Sequence, residues 1–298
     1  MVLNKRVLDY VRPVAVNVIV LASATVTLAL VAVPLSLLRL WPLGFGMNLE
    51  AGGYIAVAST VTWLIAFNAY YYALRSGRIG VVGPITGTDP LFTALFAVVL
   101  AGAALGGLTI AGLALATLGV VLLSRCLGDE PEPHALILEG APEPAVTASA
   151  LTVVLLSLLT AAGWGFGPVM IQLAVESVGG TSTTMILMGE VIGVILLLPF
   201  VRWRRSWVFV QPLPPGEMRQ ALWLLVAAGA LHALFAVLFY LLIEHIGAVL
   251  TTLIVATSPI FAILGGVLFL GERFGVRLRV AAAVTFAGVC LAIVDGAM

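Results

Sequence analysis

Charged side chains are scarce in this chain, since aspartate, glutamate, lysine and arginine together make up 9% of its 298 residues. A soluble domain carries about a quarter, so the scarcity excludes a domain whose surface faces water on all sides. The 14 basic and 14 acidic residues balance to a net charge of zero. That balance removes the basic surface that nucleic-acid binding requires, so no nucleic-acid partner is expected.

Cysteines and catalytic motifs are also scarce. Cys126 and Cys290 are the two cysteines, and neither has metal-ligand spacing, so both are interpreted as small apolar residues. The sequence contains no P-loop, nucleophile elbow or H-E-x-x-H motif. We therefore expect no enzyme, no catalytic residues, no metal and no cofactor, and transport driven by ATP would need a separate chain.

Apolar sequence is abundant, at 62% of residues, with a mean hydropathy of +1.18. Many runs approach the 20 or so apolar residues that span a bilayer as a helix, and they are too continuous for barrel strands. We predict an all-α polytopic membrane protein with about nine spans. They fall at roughly 14–38, 52–74, 81–101, 107–124, 149–174, 182–200, 220–243, 248–270 and 276–294.

The distribution of basic residues predicts an orientation. Nine spans place thirteen arginines and lysines on one side of the membrane and Arg39 alone on the other. Such an excess marks the cytoplasmic side. We expect a multi-pass protein of the cell (inner) membrane, with a cytoplasmic N-terminus and the C-terminus outside. The choice between monomer and homodimer stays open.

An acidic, proline-rich segment at 125–148 is typical of a solvated linker. It divides the chain into a first part, 1–124, with four spans and a second part, 149–298, with five. A shift of 169 residues places Pro90 on Pro259, Thr88 on Thr257 and Tyr71 on Tyr240 without a gap. The shift moves each helix by five spans, an odd number, so equivalent helices should run in opposite directions. Inverted repeats of this kind are a hallmark of secondary transporters, which bind substrate near the midplane.

Several motifs resemble EamA-type drug/metabolite transporters. They are Thr-Ser-Pro-Ile-Phe at 257–261, Leu-Gly-Glu-Arg-Phe at 270–274, Thr-Asp-Pro-Leu-Phe at 88–92, Ala-Tyr-Tyr-Tyr-Ala-Leu at 69–74 and Ala-Gly-Trp-Gly at 162–165. The resemblance implies ten helices in two five-helix repeats with both termini cytoplasmic. The Trp-Gly helix that opens the family's first repeat is not found here, so we expect a chain lacking that helix.

Two titratable residues stand in the middle of predicted spans, where polar groups cost a few kcal/mol each. Glu190 is interpreted either as a proton-coupling carboxylate, as the partner of a substrate amine, or as a structural hydrogen-bonding group. His232 lies at comparable depth. It either pairs with Glu190, contacts substrate, or packs as a satisfied histidine.

Two prolines interrupt equivalent helices. Pro90 and Pro259 each remove a backbone donor and free a carbonyl one turn earlier. Asp89 is expected either to bind substrate or to cap the broken helix, and Thr257 and Ser258 either to line the cavity or to satisfy the backbone.

Aromatic and amide side chains complete the predicted substrate site. Trp164 lies deep in a span, away from the interfaces that tryptophan prefers, so it is interpreted as a cavity wall or as packing. Tyr71 is favoured among three consecutive tyrosines because Tyr240 is its repeat equivalent, and Asn68 is expected on the same wall.

The function predicted from these patterns is a secondary transporter. It would export small organic metabolites such as amino acids by alternating access around a midplane cavity, with a small-molecule substrate and the bilayer as partners. Proton coupling through Glu190 and facilitated diffusion both remain open. The alternative is a flippase for lipid-linked intermediates or a non-transporting membrane partner subunit.

Overall fold

The structure is a computed structural model that describes residues 11–40, 43–76, 79–128, 149–201, 215–258 and 275–296. Regular structure within these ranges is helical, and they contain no strand. Five of the helices are long and apolar enough to cross a membrane, judged by length and composition. The prediction of an all-α polytopic chain is confirmed.

Nine helices occur in the described ranges. They are α1 (Pro13–Leu37), α2 (Leu49–Ser76), α3 (Ile79–Thr86), α4 (Asp89–Ala101), α5 (Gly107–Gly128), α6 (Ala150–Val178), α7 (Thr183–Val201), α8 (Pro215–Val255) and α9 (Val276–Gly296). The backbone of α8 is not helical at Gly247, with φ 78° and ψ 167°. This break separates the predicted spans 220–243 and 248–270, the second of which is described as far as Ser258.

Helix ends follow local sequence signals. The Asn48 side chain accepts a hydrogen bond of 2.7 Å from the Ala51 amide at the start of α2, and Ser149 caps α6 in the same way. Gly102 and Gly179 follow α4 and α6 with φ of 64° and 81°, the left-handed region that glycine adopts without strain. These caps fix the residues at which the helices begin and end.

Helices α5 and α9 are related by the 169-residue shift, and they cross through small residues. A Cβ on Gly112 would lie 2.5 Å from the Gly288 carbonyl oxygen, and a Cβ on Gly119 would overlap the backbone of Thr285. Residues later in α5 contact residues earlier in α9, so the two helices are antiparallel.

Two further pairs of shift-related helices are antiparallel. In α1 and α7, the Ser36 hydroxyl lies 3.1 Å from that of Thr183, while Leu21 meets Gly193. In α2 and α8, Trp63 contacts His232, while Ser59 and the Tyr240 hydroxyl meet at Gly189 of α7. Equivalent helices in the described part of the chain therefore run in opposite directions, which is the inverted topology that the repeat predicted.

The helix break before Pro90 recurs in the second part of the chain. Helix α3 ends at Thr86 and α4 begins at Asp89, while α8 ends at Val255 and helical structure resumes at Ser258. Thr88 Oγ1 donates to the Ile85 carbonyl at 2.7 Å, and Thr257 Oγ1 donates to the Ile254 carbonyl at 2.6 Å. Both hydroxyls satisfy a carbonyl at the break, so the same local chemistry recurs 169 residues apart.

Several sequence features lie outside the described residues. They include most of the acidic linker (129–148), the basic loop (202–214), Pro259 and the charged corner at 271–273. The division into 1–124, 125–148 and 149–298 stays a prediction.

Candidate functional site

The buried carboxyl group of Glu190 is the centre of the candidate site. Glu190 lies in the middle of α7 and is 4% exposed. Its Oε1 lies 3.4 Å from Nε2 of His232 on α8. The approach lacks hydrogen-bond geometry, because neither Glu190 Oε2 nor His232 Nε2, both buried, has a hydrogen-bond partner among the described residues. The structure thus brings together the two titratable residues singled out from the sequence. Each of them keeps one buried polar atom that can still form a hydrogen bond.

Tyr240 approaches Glu190 from the same side of α8 as His232. Its hydroxyl would lie 3.0 Å from a Cβ on Gly189, the residue before Glu190. Ser59 Oγ of α2 would lie 3.5 Å from the same Cβ. The absence of a side chain at Gly189 therefore allows α2 and α8 to present hydroxyl groups next to the carboxyl group.

A continuous row of aromatic rings leads away from His232, and we call it the aromatic row. Trp63 meets His232 edge to face at 5.0 Å and stacks on Phe67 at 4.6 Å between ring centroids. Phe67 contacts Trp164 of α6 at 5.2 Å, and Trp164 contacts Tyr70 at 4.8 Å. The row joins helices of both repeats. The indole nitrogen of Trp164 is buried, and no described residue forms a hydrogen bond with it.

The residues that begin the aromatic row lie on a widened part of α2. Residues Thr60–Ala66 form a π-helix, a rare geometry that is frequent at functional sites. The Trp63 carbonyl accepts from Asn17 Nδ2 of α1 at 2.8 Å and from Asn68 Nδ2 at 3.3 Å. Side-chain amides thus satisfy the carbonyl that the irregular turn exposes, and Trp63 is held in place between α1 and α7.

The glycine-rich stretch of α6 explains how Trp164 reaches this position. A Cβ on Gly163 would lie 2.6 Å from Ala66, and one on Gly167 would lie 2.5 Å from the Thr62 hydroxyl. A Cβ on Gly165 would lie 2.5 Å from that of Phe92 in α4. Helix α6 is therefore in close contact with the π-helix on one side and with the start of α4 on the other, and only glycine fits.

Asp89 lies at the helix break rather than beside Glu190. It is the first residue of α4, and its carboxyl group faces its own backbone N–H. An acidic residue in the first turn also complements the helix dipole. Gly165 packs against the Asp89 carbonyl. In the described structure, Asp89 therefore approaches the site through its backbone, next to Trp164.

Of the remaining predicted residues, some form hydrogen bonds to the backbone and others pack against neighbouring side chains. Thr257 donates to the Ile254 carbonyl at 2.6 Å, whereas Ser258 is exposed. Asn68 donates to the Leu64 carbonyl at 2.8 Å, and its Oδ1 is buried with no partner in the described ranges. Tyr71 is 3% exposed and lies 5.4 Å from Tyr70 between ring centroids. Pro90 is buried within α4, and Pro259 lies outside the described residues.

Three residues of the site did not stand out in the sequence. They are Trp63, Phe67 and Gly193, which lie in ordinary apolar runs. One signal was available for Trp63, because the 169-residue shift places it on His232. No sequence signal marked Gly193, whose role depends on its contact with the Trp63 ring of α2.

Replacing Gly193 with alanine is expected to displace the Trp63 ring. The new Cβ would lie 2.6 Å from Trp63 Cδ1 and 2.5 Å from Leu21 Cδ2, and overpacking of this kind costs about 1–3 kcal/mol. We expect a lower melting temperature in detergent. Gly53→Ala is the control, because a Cβ there meets nothing within 4 Å. Equal melting temperatures for the two variants would contradict the packing described above.

Comparison with known proteins relates the chain to one family model and to solved structures. A model of the EamA-like transporter family matches residues 1–125 and 151–294. A solved structure described as "Crystal structure of protein" matches with a TM-score of 0.66 and 17% sequence identity, over 97% of this chain and 90% of that one. At this identity the likeness concerns the fold alone. No curated protein matches the chain.

Proposed function

Because the chain belongs to the EamA-like transporter family, we propose that it is a secondary transporter whose substrate site is formed by Glu190, His232 and the aromatic row. Membership of the family supports a membrane transporter of small molecules. The observation that favours this site is that Glu190 Oε2 and His232 Nε2 are buried and have no hydrogen-bond partner in the part of the chain that the structure describes. A buried polar group without a partner costs free energy, and a bound substrate or proton would supply the missing contact.

Alternating access is the mechanism that the architecture supports, and export is the direction that we propose. Equivalent helices are antiparallel, and the breaks at Thr88 and Thr257 occur at equivalent positions. Inverted repeats can exchange conformations around a fixed site. Under this proposal the substrates are small organic metabolites, amino acids among them, and Glu190 couples their movement to protons.

The experiment that tests the function is a metabolite profile of the medium around overexpressing cells. The chain should raise the external concentration of a defined set of compounds, and a Glu190→Ala, His232→Ala double variant should not. Glu176→Gln is the control, since Glu176 is exposed and accepts from Gln172 within α6. Identical profiles for the chain and the double variant would rule out the proposed site.

The orientation of the chain and the membrane in which it lies can be tested separately from its function. We propose that the chain lies in the cell membrane with its N-terminus in the cytoplasm and its C-terminus outside, as the basic-residue excess suggests. Alkaline phosphatase fused after Met298 should then be active, and a fluorescent protein fused there should be dark. The opposite pair of signals would show that the C-terminus is cytoplasmic.

A further inference from the structure

Arg12 carries a positive charge that the site described above does not use. It is the residue before α1, and it is partly exposed. The Nε atom of its guanidinium is nevertheless buried, and it forms no hydrogen bond within the described residues. Arg12 also has no ion pair there, since the pair found in that part of the chain joins Glu190 to His232. A buried donor without a partner costs free energy, and the cost is larger for a charged group. Binding an anion would remove this cost.

Helix packing places Arg12 level with the second half of α2. Asn17 of α1 donates to the Trp63 carbonyl of α2 at 2.8 Å. Along α7 towards Gly193, the contacts move to earlier residues of α1 and to later residues of α2, so α1 and α2 are antiparallel. Arg12 comes five residues before Asn17, which is about 7 Å along the axis of a helix. It therefore lies level with residues that follow Trp63, among them Tyr70.

The packing of side chains agrees with this placement. Val11 and Ala15, on either side of Arg12 in the chain, are buried in the same cluster of apolar residues as Tyr70, and Trp164 packs against that cluster. The Tyr70 and Trp164 rings meet at 4.8 Å between centroids, and they form the end of the aromatic row farthest from His232. We call it the far end of the row. Arg12 is thus a cationic group whose neighbours in the chain pack around that far end.

The far end of the row offers hydrogen-bond donors rather than acceptors. Besides Arg12 Nε, the indole N–H of Trp164 is buried there and has no partner among the described residues. A guanidinium binds a carboxylate through two parallel hydrogen bonds. A phosphate monoester carries nearly two negative charges at neutral pH, whereas Arg12 supplies one positive charge. A carboxylate is therefore the anion that matches Arg12.

Glu190 lies too far along the aromatic row to oppose an anion at its far end. The carboxyl group is 3.4 Å from His232. Trp63, Phe67 and Trp164 then separate His232 from Tyr70, at successive centroid distances of 4.6 to 5.2 Å. Because repulsion between like charges falls with distance, a substrate carboxylate and Glu190 can occupy opposite ends of one row.

We propose that Arg12 forms a carboxylate-binding subsite at the far end of the aromatic row, for organic acids that carry an aromatic or otherwise flat apolar group. The inference rests on the function proposed above and narrows its substrate class. The carboxylate pairs with the guanidinium of Arg12, and the apolar body lies against the rings of Tyr70 and Trp164. The subsite requires no amino group, so simple organic acids belong to the class.

Two probes of the same skeleton and nearly the same size, one charged and one neutral, test the subsite. They are 3-phenylpropionate and 3-phenylpropanamide, added to the purified full chain in lipid nanodiscs and measured by calorimetry. The carboxylate should bind about tenfold more tightly than the amide, because hydrogen bonds to a charged group are stronger. Equal affinities for the two probes, or no binding of either, would overturn the inference.

Variants of Arg12 separate recognition of the charge from folding. Arg12→Gln should weaken 3-phenylpropionate about tenfold and leave 3-phenylpropanamide unchanged. Arg12→Lys keeps the charge without the planar fork and should recover part of the affinity. Arg125→Gln is the control, because Arg125 is exposed, and it should change neither probe. Equal weakening of both probes in Arg12→Gln would show a structural role and refute the subsite. If Arg12→Gln fails to fold, Arg12→Lys decides, since unchanged affinity for 3-phenylpropionate would refute it as well.

Export assays distinguish the failure of this inference from the failure of the proposed function. An export profile that contains no carboxylates, yet disappears in the Glu190→Ala, His232→Ala double variant, would refute the carboxylate class and leave the transporter function intact. Binding of 3-phenylpropionate that depends on Arg12, in a chain that exports no compound, would refute the function and support the subsite.

Discussion

Replacing Glu190 with glutamine is expected to remove the dependence of substrate flux on a proton gradient. Glutamine keeps the size of the side chain but cannot exchange a proton, and it loses the charge that faces His232 at 3.4 Å. Without an exchangeable proton at this position, flux under the imposed pH difference should fall to the level measured without it. The measurement is flux of an exported compound into proteoliposomes with and without an imposed pH difference.

The control for this prediction is an equivalent change at an exposed carboxyl group. Glu176→Gln alters a side chain whose partner is Gln172, and its flux should respond to the gradient as the unmodified chain does. Flux that is equally sensitive to the gradient in Glu190→Gln would show that the coupling proton is held elsewhere. Flux that ignores the gradient in the unmodified chain would indicate facilitated diffusion.

Gly288→Ala is expected to be among the most destabilising single changes in the chain. A Cβ there would lie 2.7 Å from the Gly112 carbonyl oxygen and 2.8 Å from the Ala116 Cα. These are backbone atoms of α5, so relief requires the two helices to separate. Overpacking costs about 1–3 kcal/mol, and the upper end applies because no flexible side chain can yield.

Thermal unfolding in detergent, followed by size-exclusion chromatography, measures the effect. Gly112→Ala should destabilise the chain to a similar extent, since its Cβ would lie 2.5 Å from the Gly288 carbonyl oxygen. Gly53→Ala is the matched control because it adds a methyl group at an open helical position. A melting temperature for Gly288→Ala equal to that of Gly53→Ala would show that α5 and α9 do not cross at these glycines.

Composition and the internal repeat were sufficient to predict most of the fold. The length of the apolar runs located the spans, and Thr88-Asp89-Pro90 located the break between α3 and α4. The register of 169 residues anticipated that the predicted span 248–270 would be interrupted near Thr257. These features are local, because a run of apolar residues or a proline acts on its own helix whatever surrounds it.

The candidate site was predictable only in part, because it depends on contacts distant in sequence. Glu190 and His232 stood out as polar residues within apolar runs. The π-helix in α2 had no such signal, since the Trp63 carbonyl is satisfied by Asn17, which lies 46 residues away. In the sequence, Trp63 likewise resembles any other aromatic residue. Only the fold shows that Gly193 of α7 packs against its ring.

The contact between Trp63 and His232 joins two residues at equivalent positions of the repeat, and they are chemically different. If both repeats had the same residue there, exchanging the conformations of the two repeats would leave this contact chemically unchanged. An indole on one side and an imidazole on the other remove that equivalence. In the alternating access proposed above, this contact therefore contributes differently to the inward-open and outward-open forms. Asp89 and Ser258 are a second unmatched pair at equivalent positions, so the preferred orientation of the empty carrier depends on several positions at which the repeats differ.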